Sequence, residues 1–357
     1  MDVNRERLLD TFLSLVQIDS PSGEEAAISA DLAKRLRALD MDVTVDEIGN
    51  VLGRWKAEGA YLLLNAHMDT VPGKGIKPVV KDGIICSDGT TILGGDDKSG
   101  IAAILEVLAV LREQGKRPPL EVLFTVSEEI GLIGAKHVDP AQLEARQALV
   151  LDSGGPLNVL VHGAPGSDKI DAVIHGRAAH AGACPEAGVN AIVIAAQAIT
   201  RMPLGRIDQE TTANVGIIQG GQAVNIVPDR VMLRGEARSH DGAKLDAQTA
   251  GIRQALEQAV AAHDGAGLDL DIDRTYRSYR LDKELPLVQR VVAGLEEMGE
   301  SAVSFVLSGG GSDANVFNIK GIAAMPISTG MKDVHTNDES IAIDDIVRCA
   351  QLLLKVI

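Results

Sequence analysis

The stretch Tyr61-Leu62-Leu63-Leu64-Asn65-Ala66-His67-Met68-Asp69 decides the fold class. Its centre is a nearly continuous apolar run, the pattern of a strand covered on both faces. Leu120 to Val126 and Ala148 to Leu151 are written the same way. Between the first two lies a strongly apolar helix predicted over Ser99 to Leu111, closed by Gly115 and Pro118-Pro119. Buried strands alternating with helices predict an α/β domain, a mainly parallel sheet flanked by helices. Upstream, Leu8, Leu9, Phe12, Leu13 and Val16 recur at helical spacing until Ser20-Pro21-Ser22-Gly23 interrupts them. Ser22 followed by Glu25 reads as a capping box for a second helix through about Leu39. Met41 to Asp46 and Asn50 to Trp55 carry strand signals.

From about Asp168 the order changes to strand (Lys169 to His175), helix (Val189 to Met202), paired strands (Ala213 to Gln219, Arg230 to Ala237), helix (Ala243 to His263) and strand (Leu268 to Arg277). That βαββαβ order predicts a ferredoxin-like α+β unit inserted into the larger domain. The α/β character then returns, with helices over Pro286 to Met298 and Asp344 to Val356 and strands over Val303 to Leu307 and Ile322 to Ile327. The expected organisation is a first catalytic segment at 1–167, the insert at 168–279, and a second catalytic segment at 280–357.

Composition narrows the function classes. The 357 residues carry 34 Lys plus Arg against 50 Asp plus Glu, a formal charge of −16, which repels nucleic-acid phosphates and anionic membranes. Aromatic residues make up 2%, too few for base-stacking platforms. Cys86, Cys184 and Cys349 are far apart and odd in number, as expected of reduced thiols. The opening Met1-Asp2-Val3-Asn4-Arg5-Glu6 has no secretory pattern, and no apolar stretch reaches the ~20 residues of a membrane span. A soluble, cytoplasmic protein is the expectation.

Ligands of open α/β sheets bind outside the carboxyl ends of the strands, and here those ends are rich in metal-type donors. The first strand delivers His67-Met68-Asp69, the second Ser127-Glu128-Glu129, the third Asp152, and the strand ending near Ile327 leads through Ser328-Thr329-Gly330 to His335. Gly94-Gly95-Asp96-Asp97-Lys98-Ser99-Gly100 opens the apolar helix. Each piece alone has an ordinary reading: a satisfied His–Asp pair, a solvated loop, acidic residues at a helix N-terminus, a turn aspartate. Their joint occurrence at successive strand ends points to a cage of imidazole and carboxylate ligands. The Lys98-Ser99 pair hints at a phosphate loop, but that loop needs Gly before Lys. Asp96 and Asp97 in that place repel phosphate and attract a divalent cation.

His67-Met68-Asp69-Thr70, Gly95-Asp96-Asp97-Lys98-Ser99-Gly100, Ser127-Glu128-Glu129-Ile130-Gly131, Asp152-Ser153-Gly154-Gly155 and His335-Thr336 resemble the dizinc exopeptidase superfamily. That group includes peptidase T, aminoacylases, carnosinase-type dipeptidases and succinyl-diaminopimelate desuccinylase, and the likeness is greatest to the peptidase T-like tripeptide aminopeptidases. It spans nearly the whole chain, including Gly176-Arg177-Ala178-Ala179-His180-Ala181-Gly182 in the insert, which the resemblance makes a lid and dimerisation domain. The resemblance implies two Zn²⁺ ions, with Co²⁺ or Mn²⁺ as substitutes, bridged by Asp96. His67 and Asp152 complete one ion; Glu129 and His335 complete the other. It makes Glu128 the general base and Asp69 the carboxylate that orients His67. His180 corresponds to a catalytic histidine that reaches a partner's site in dimeric relatives, where the imidazole stabilises the tetrahedral oxyanion. Asn225 and Arg238 correspond to substrate-binding positions, as do Gly310 and Ser312 in the glycine-rich Gly309-Gly310-Gly311-Ser312-Asp313. No position departs from the ligand pattern, so a non-catalytic binding protein on the same fold is disfavoured.

Two histidines and three carboxylates suit zinc. Two cations sharing a carboxylate sit about 3.5–4 Å apart and acidify a water between them. A carboxylate that is not a ligand, Glu128, can take that water's proton and pass it to the leaving amine. The implied substrates are short peptides; hydrolysis of an N-acyl amino acid, or a carboxypeptidase or dipeptidase activity, remains the alternative on the same site. The implied partner is a second copy of the chain.

Overall fold

In the computed structural model, which describes residues 2–300 and 302–357, all six side chains of the Leu62–His67 strand are buried. This apolar strand lies between two parallel neighbours, Leu120–Thr125 and Gln147–Ser153. Ala323–Ser328 adds a fourth parallel strand beyond Gln147–Ser153. On the other side Val51–Trp55 and Asp42–Val45 continue the sheet as antiparallel edge strands. Four parallel strands with an antiparallel edge make this an α/β sheet, and helices Arg5–Val16, Gly95–Glu113 and Ile343–Val356 pack with one another beside it.

The sheet's register aligns the donors. His67 stands opposite Thr125, and Asn65 opposite Val150, so His67 and Asp152 reach the same edge at the same level. Asp96 and Asp97 have non-helical backbone angles, so the regular turns of the Gly95–Glu113 helix begin at Lys98. Gly100 lets that helix approach the sheet, because a Cβ there would lie 2.7 Å from the Cβ of Leu151.

Two compact units emerge, one made of residues 1–164 with 280–357 and the other of 165–279. The second is a five-stranded antiparallel sheet ordered Gly205–Arg206, Thr211–Gly220, Arg230–Ser239, Gly166–His175, Gly267–Tyr276. Apart from the short edge strand, this is the ferredoxin-like order of a βαββαβ chain. Alternation places Leu268, Leu270 and Ile272 on the face shared with helices Ala191–Ile199 and Gly242–Ala261, around Ile170, Ile174, Ile194, Leu233, Ile252 and Leu256.

Two local expectations change. Ser22 and Glu25 do not cap the Ala26–Ala38 helix, which has no side-chain cap; their oxygens are engaged at the sheet edge described below. Ser304–Val306 joins a parallel pair with Val159–Val161 instead of the main sheet. A small antiparallel sheet that no long apolar run marks is also present: Ile84–Cys86 lies between Val79–Lys81 and Ser340–Ala342. Among the described residues no helix is long and apolar enough to cross a membrane.

Candidate active site

His67 ends its strand with a buried imidazole. Nδ1 contacts the backbone carbonyl of Asp69 at 2.9 Å, with the Asp69 carboxylate 3.5 Å away, and Nε2 lies 3.1 Å from Asp96 Oδ1. The other Asp96 oxygen is 3.1 Å from His335 Nε2, which lies 2.9 Å from Glu129 Oε1. Asp96 therefore stands between two imidazoles, one oxygen toward each. One donor atom each of His67, Asp96 and Glu129 falls within 4.8 Å of the others, and the same holds for His67, Glu128 and Asp152. The two triplets share His67.

The turn after Leu120–Thr125 is shaped to present both glutamates. Ser127 adopts a left-handed φ of +52°, costly for a residue with a Cβ. The buried Glu25 carboxylate holds it there, accepting from Ser127 N at 3.0 Å and Oγ at 2.9 Å. The Asp69 carboxylate accepts from the backbone N–H of Glu128 at 2.9 Å and of Glu129 at 3.2 Å, and from Ser22 Oγ at 2.6 Å. Asp69 thus ties the His67 strand end to the Glu128-Glu129 turn, a broader task than orienting one ring. Asp97 accepts from His67 N and Gly100 N, each at 3.3 Å.

So many buried carboxyls disturb one another. Burial, then neighbouring carboxylates such as Asp152, push Glu128 well above the ordinary range. Asp152 and Asp97 rise for the same first reason. His335 is raised to about 10 by Asp96 and Glu129. The crowded negative charge and the nitrogen–oxygen donor set fit divalent cations. Glu129 Oε1, buried without an aligned hydrogen-bond donor, is a further sign that these atoms converge on a common point.

Residues 63–357 match the peptidase family M20/M25/M40. The chain belongs to family M20. It is a metallopeptidase of that family, a hydrolase of peptidase T type. It is similar to the solved aminopeptidase PepT of Bacillus cereus, with 40% identity, TM-score 0.88, and 99% of this chain and 98% of that one covered. It is likewise similar to a tripeptidase of Staphylococcus aureus, with 39% identity, TM-score 0.93, and coverage of 100% and 98%. Carboxypeptidase G2 of a Pseudomonas strain is 30% identical over 86% of this chain and 77% of its own length.

The other expected site residues of this M20 chain are placed as follows. His180 is exposed in the inserted unit, and its Nδ1 accepts from Gly182 N at 3.1 Å and Ala183 N at 3.0 Å. Asn225 is its neighbour, since Ala181 N donates to the Asn225 carbonyl at 2.9 Å. Arg238 is half-buried near the far end of the Arg230–Ser239 strand and donates to Glu236 at 2.9 Å. Ser312 caps the Asp313–Ile319 helix in a capping box with Asn315, and Gly310 N donates to Ser308 Oγ at 3.1 Å. Sequence reasoning placed Asp97 in its motif but read Glu25 as a helix cap and did not single out Glu339, whose carboxylate accepts from the backbone N–H groups of Leu93, Gly94, Gly95 and Asp96. Backbone amides leave no residue pattern, and the Glu25 partners on Ser127 are distant in sequence.

Proposed function

We propose that this M20 peptidase is a cytoplasmic dizinc aminopeptidase that removes the first residue of short peptides. The observation that carries the reading is the convergence of His67, Asp96, Glu128, Glu129, Asp152 and His335 at one sheet edge. In this reading Asp96 would be shared by two ions, with His67 and Asp152 completing the hold on one and Glu129 and His335 on the other. Zinc, when bound, supplies Lewis acidity toward the scissile carbonyl and an acidified water. Glu128 accepts the proton of the attacking water and delivers it to the leaving amine. Asp69 and Glu25 hold the turn that aims Glu128. Gly310 and Ser312 belong to the substrate loop; from the inserted unit, which serves as the lid, His180 stabilises the oxyanion and Asn225 and Arg238 bind substrate.

Similarity to carboxypeptidase G2 supports a second reading, deacylation or removal of a C-terminal residue on the same cage. A tripeptide and its N-acetylated twin separate the two. The aminopeptidase releases the first residue of the free tripeptide in a chelator-sensitive reaction and leaves the acetylated one intact. Cleavage of the acetylated peptide alone moves the chain to the second reading.

The same proposal carries a homodimer. His180 and Asn225 lie in the loops beyond His175 and Gly220, at the Arg230 end of the central strand pair. Arg238 is eight residues further along that strand, a rise of about 26 Å at ~3.3 Å per residue. An extended tripeptide spans only about 10 Å. His180 and Arg238 can therefore meet one substrate only from different copies. Mixing Glu128→Gln chains with His180→Ala chains is expected to restore about a quarter of wild-type activity, from the one intact site in each mixed dimer. Two inactive variants that stay inactive after subunit exchange exclude sharing.

A further inference from the structure

The segment that reads like a phosphate loop has an anion already in place. Leu93 N and Gly94 N donate to Glu339 Oε2 at 2.7 and 2.9 Å, and Gly95 N and Asp96 N donate to Oε1 at 2.7 and 3.1 Å. Glu339 is 1% exposed, so this carboxylate is enclosed by the loop it binds. Gly94 takes a left-handed φ of +71°, which turns successive amides inward, and a Cβ on Gly95 would lie 3.1 Å from Glu339 Oε1. Four convergent N–H groups ahead of a helix form an anion nest of the kind that elsewhere receives phosphate.

Glu339 is also fixed from behind. Its N–H donates to Thr336 O at 3.3 Å, Ser87 N donates to its carbonyl at 3.1 Å, and Ser340–Ala342 pairs with Ile84–Cys86. His335, four residues earlier, places Nε2 3.1 Å from Asp96 Oδ2. One short segment therefore grips Asp96 twice, at its backbone N–H through Glu339 and at its carboxylate through His335.

We infer that Glu339 is a positioning residue whose carboxylate acts as an internal anion, locking the 93–96 loop so that Asp96 presents both oxygens to the metals. The inference rests on the proposed sharing of Asp96 by two ions. The lock explains why the loop keeps a phosphate-loop backbone while its side chains refuse phosphate. Lys98, which would neutralise a phosphate, instead points its Nζ at the Ile18 carbonyl at 2.7 Å.

The test is a Co²⁺ titration of the full chain followed by visible absorption, with Asp96→Asn as the control. Glu339→Ala is expected to weaken Co²⁺ binding about 10–100-fold, the span seen when groups that orient ligands are removed. Sodium formate, filling the vacated nest, restores the wild-type spectrum in that variant and leaves the wild type unchanged. Glu339→Gln, which offers one acceptor oxygen to four donors, weakens binding to a lesser degree and decides the matter if the alanine variant does not fold. Wild-type affinity in either folded variant, or weakened binding in Glu339→Ala that formate does not recover, overturns the inference. If Asp96→Asn binds both ions normally, the sharing of Asp96 fails instead.

Discussion

Glu128→Gln is expected to keep two equivalents of zinc while kcat falls about 10²–10⁴-fold, the span for a lost acid–base group. The substitution changes one oxygen to an amide and leaves shape and backbone alone. The turn survives because its anchors are elsewhere: Asp69 accepts the N–H of Glu128, and Glu25 holds Ser127. An amide cannot take the water's proton, so chemistry slows with little change in KM. The structure makes this test sharp, since a Glu128 oxygen also lies within 4.8 Å of donors on His67 and Asp152. If Glu128 were a ligand there, elemental analysis would find one ion missing and the spectrum of the cobalt form altered. Retained turnover with both metals in place removes Glu128 from the chemistry altogether.

The parts of this fold that were legible are those written in apolar runs. Leu62-Leu63-Leu64 reads as a doubly covered strand, and the alternation Leu268-Asp269-Leu270-Asp271-Ile272 fits a strand with one face packed. His67, Glu128, Glu129 and Asp152 were legible because each closes or follows such a run, and sheet register then carried them to one edge; Asp96 was legible from its motif at the start of a helix. Tertiary competition defeated the local signals. Ser22 and Glu25 have capping-box spacing, yet Asp69 and Ser127 offer buried partners that a solvent-exposed helix end cannot match. Glu339 was invisible for a different reason, because its partners are amides arranged by the backbone angles of Gly94 and its neighbours. His180 and Arg238 could be found as residues, but their separation depended on which strand end each occupied.

Stripping the metal is expected to loosen the unit that holds the cluster. Asp96, Asp97, Glu128 and Glu129 are crowded with Asp152 at the edge of the central strands, and the positive charges beside them are the His67 and His335 imidazoles. A divalent cation offsets several of these repulsions at once, and a ligand that binds only the folded state stabilises it by mass action. At free zinc about 100 times its Kd each ion contributes roughly 2.7 kcal/mol. At about 2–4 °C per kcal/mol for a unit of this size, the melting midpoint should fall roughly 5–11 °C per ion removed. Hydrogen exchange locates the effect: protection drops in Leu62–His67 and in the Gly95–Glu113 helix, whereas Gly166–His175 and Arg230–Ser239, which carry none of the donors, exchange as before. An Asp96→Asn chain should melt like the chelated wild type and fail to respond to added zinc. A chelated wild type that melts at its original temperature would mean that the carboxylates settle their repulsion without an ion, by holding protons, and the metal reading of this edge would have to be abandoned.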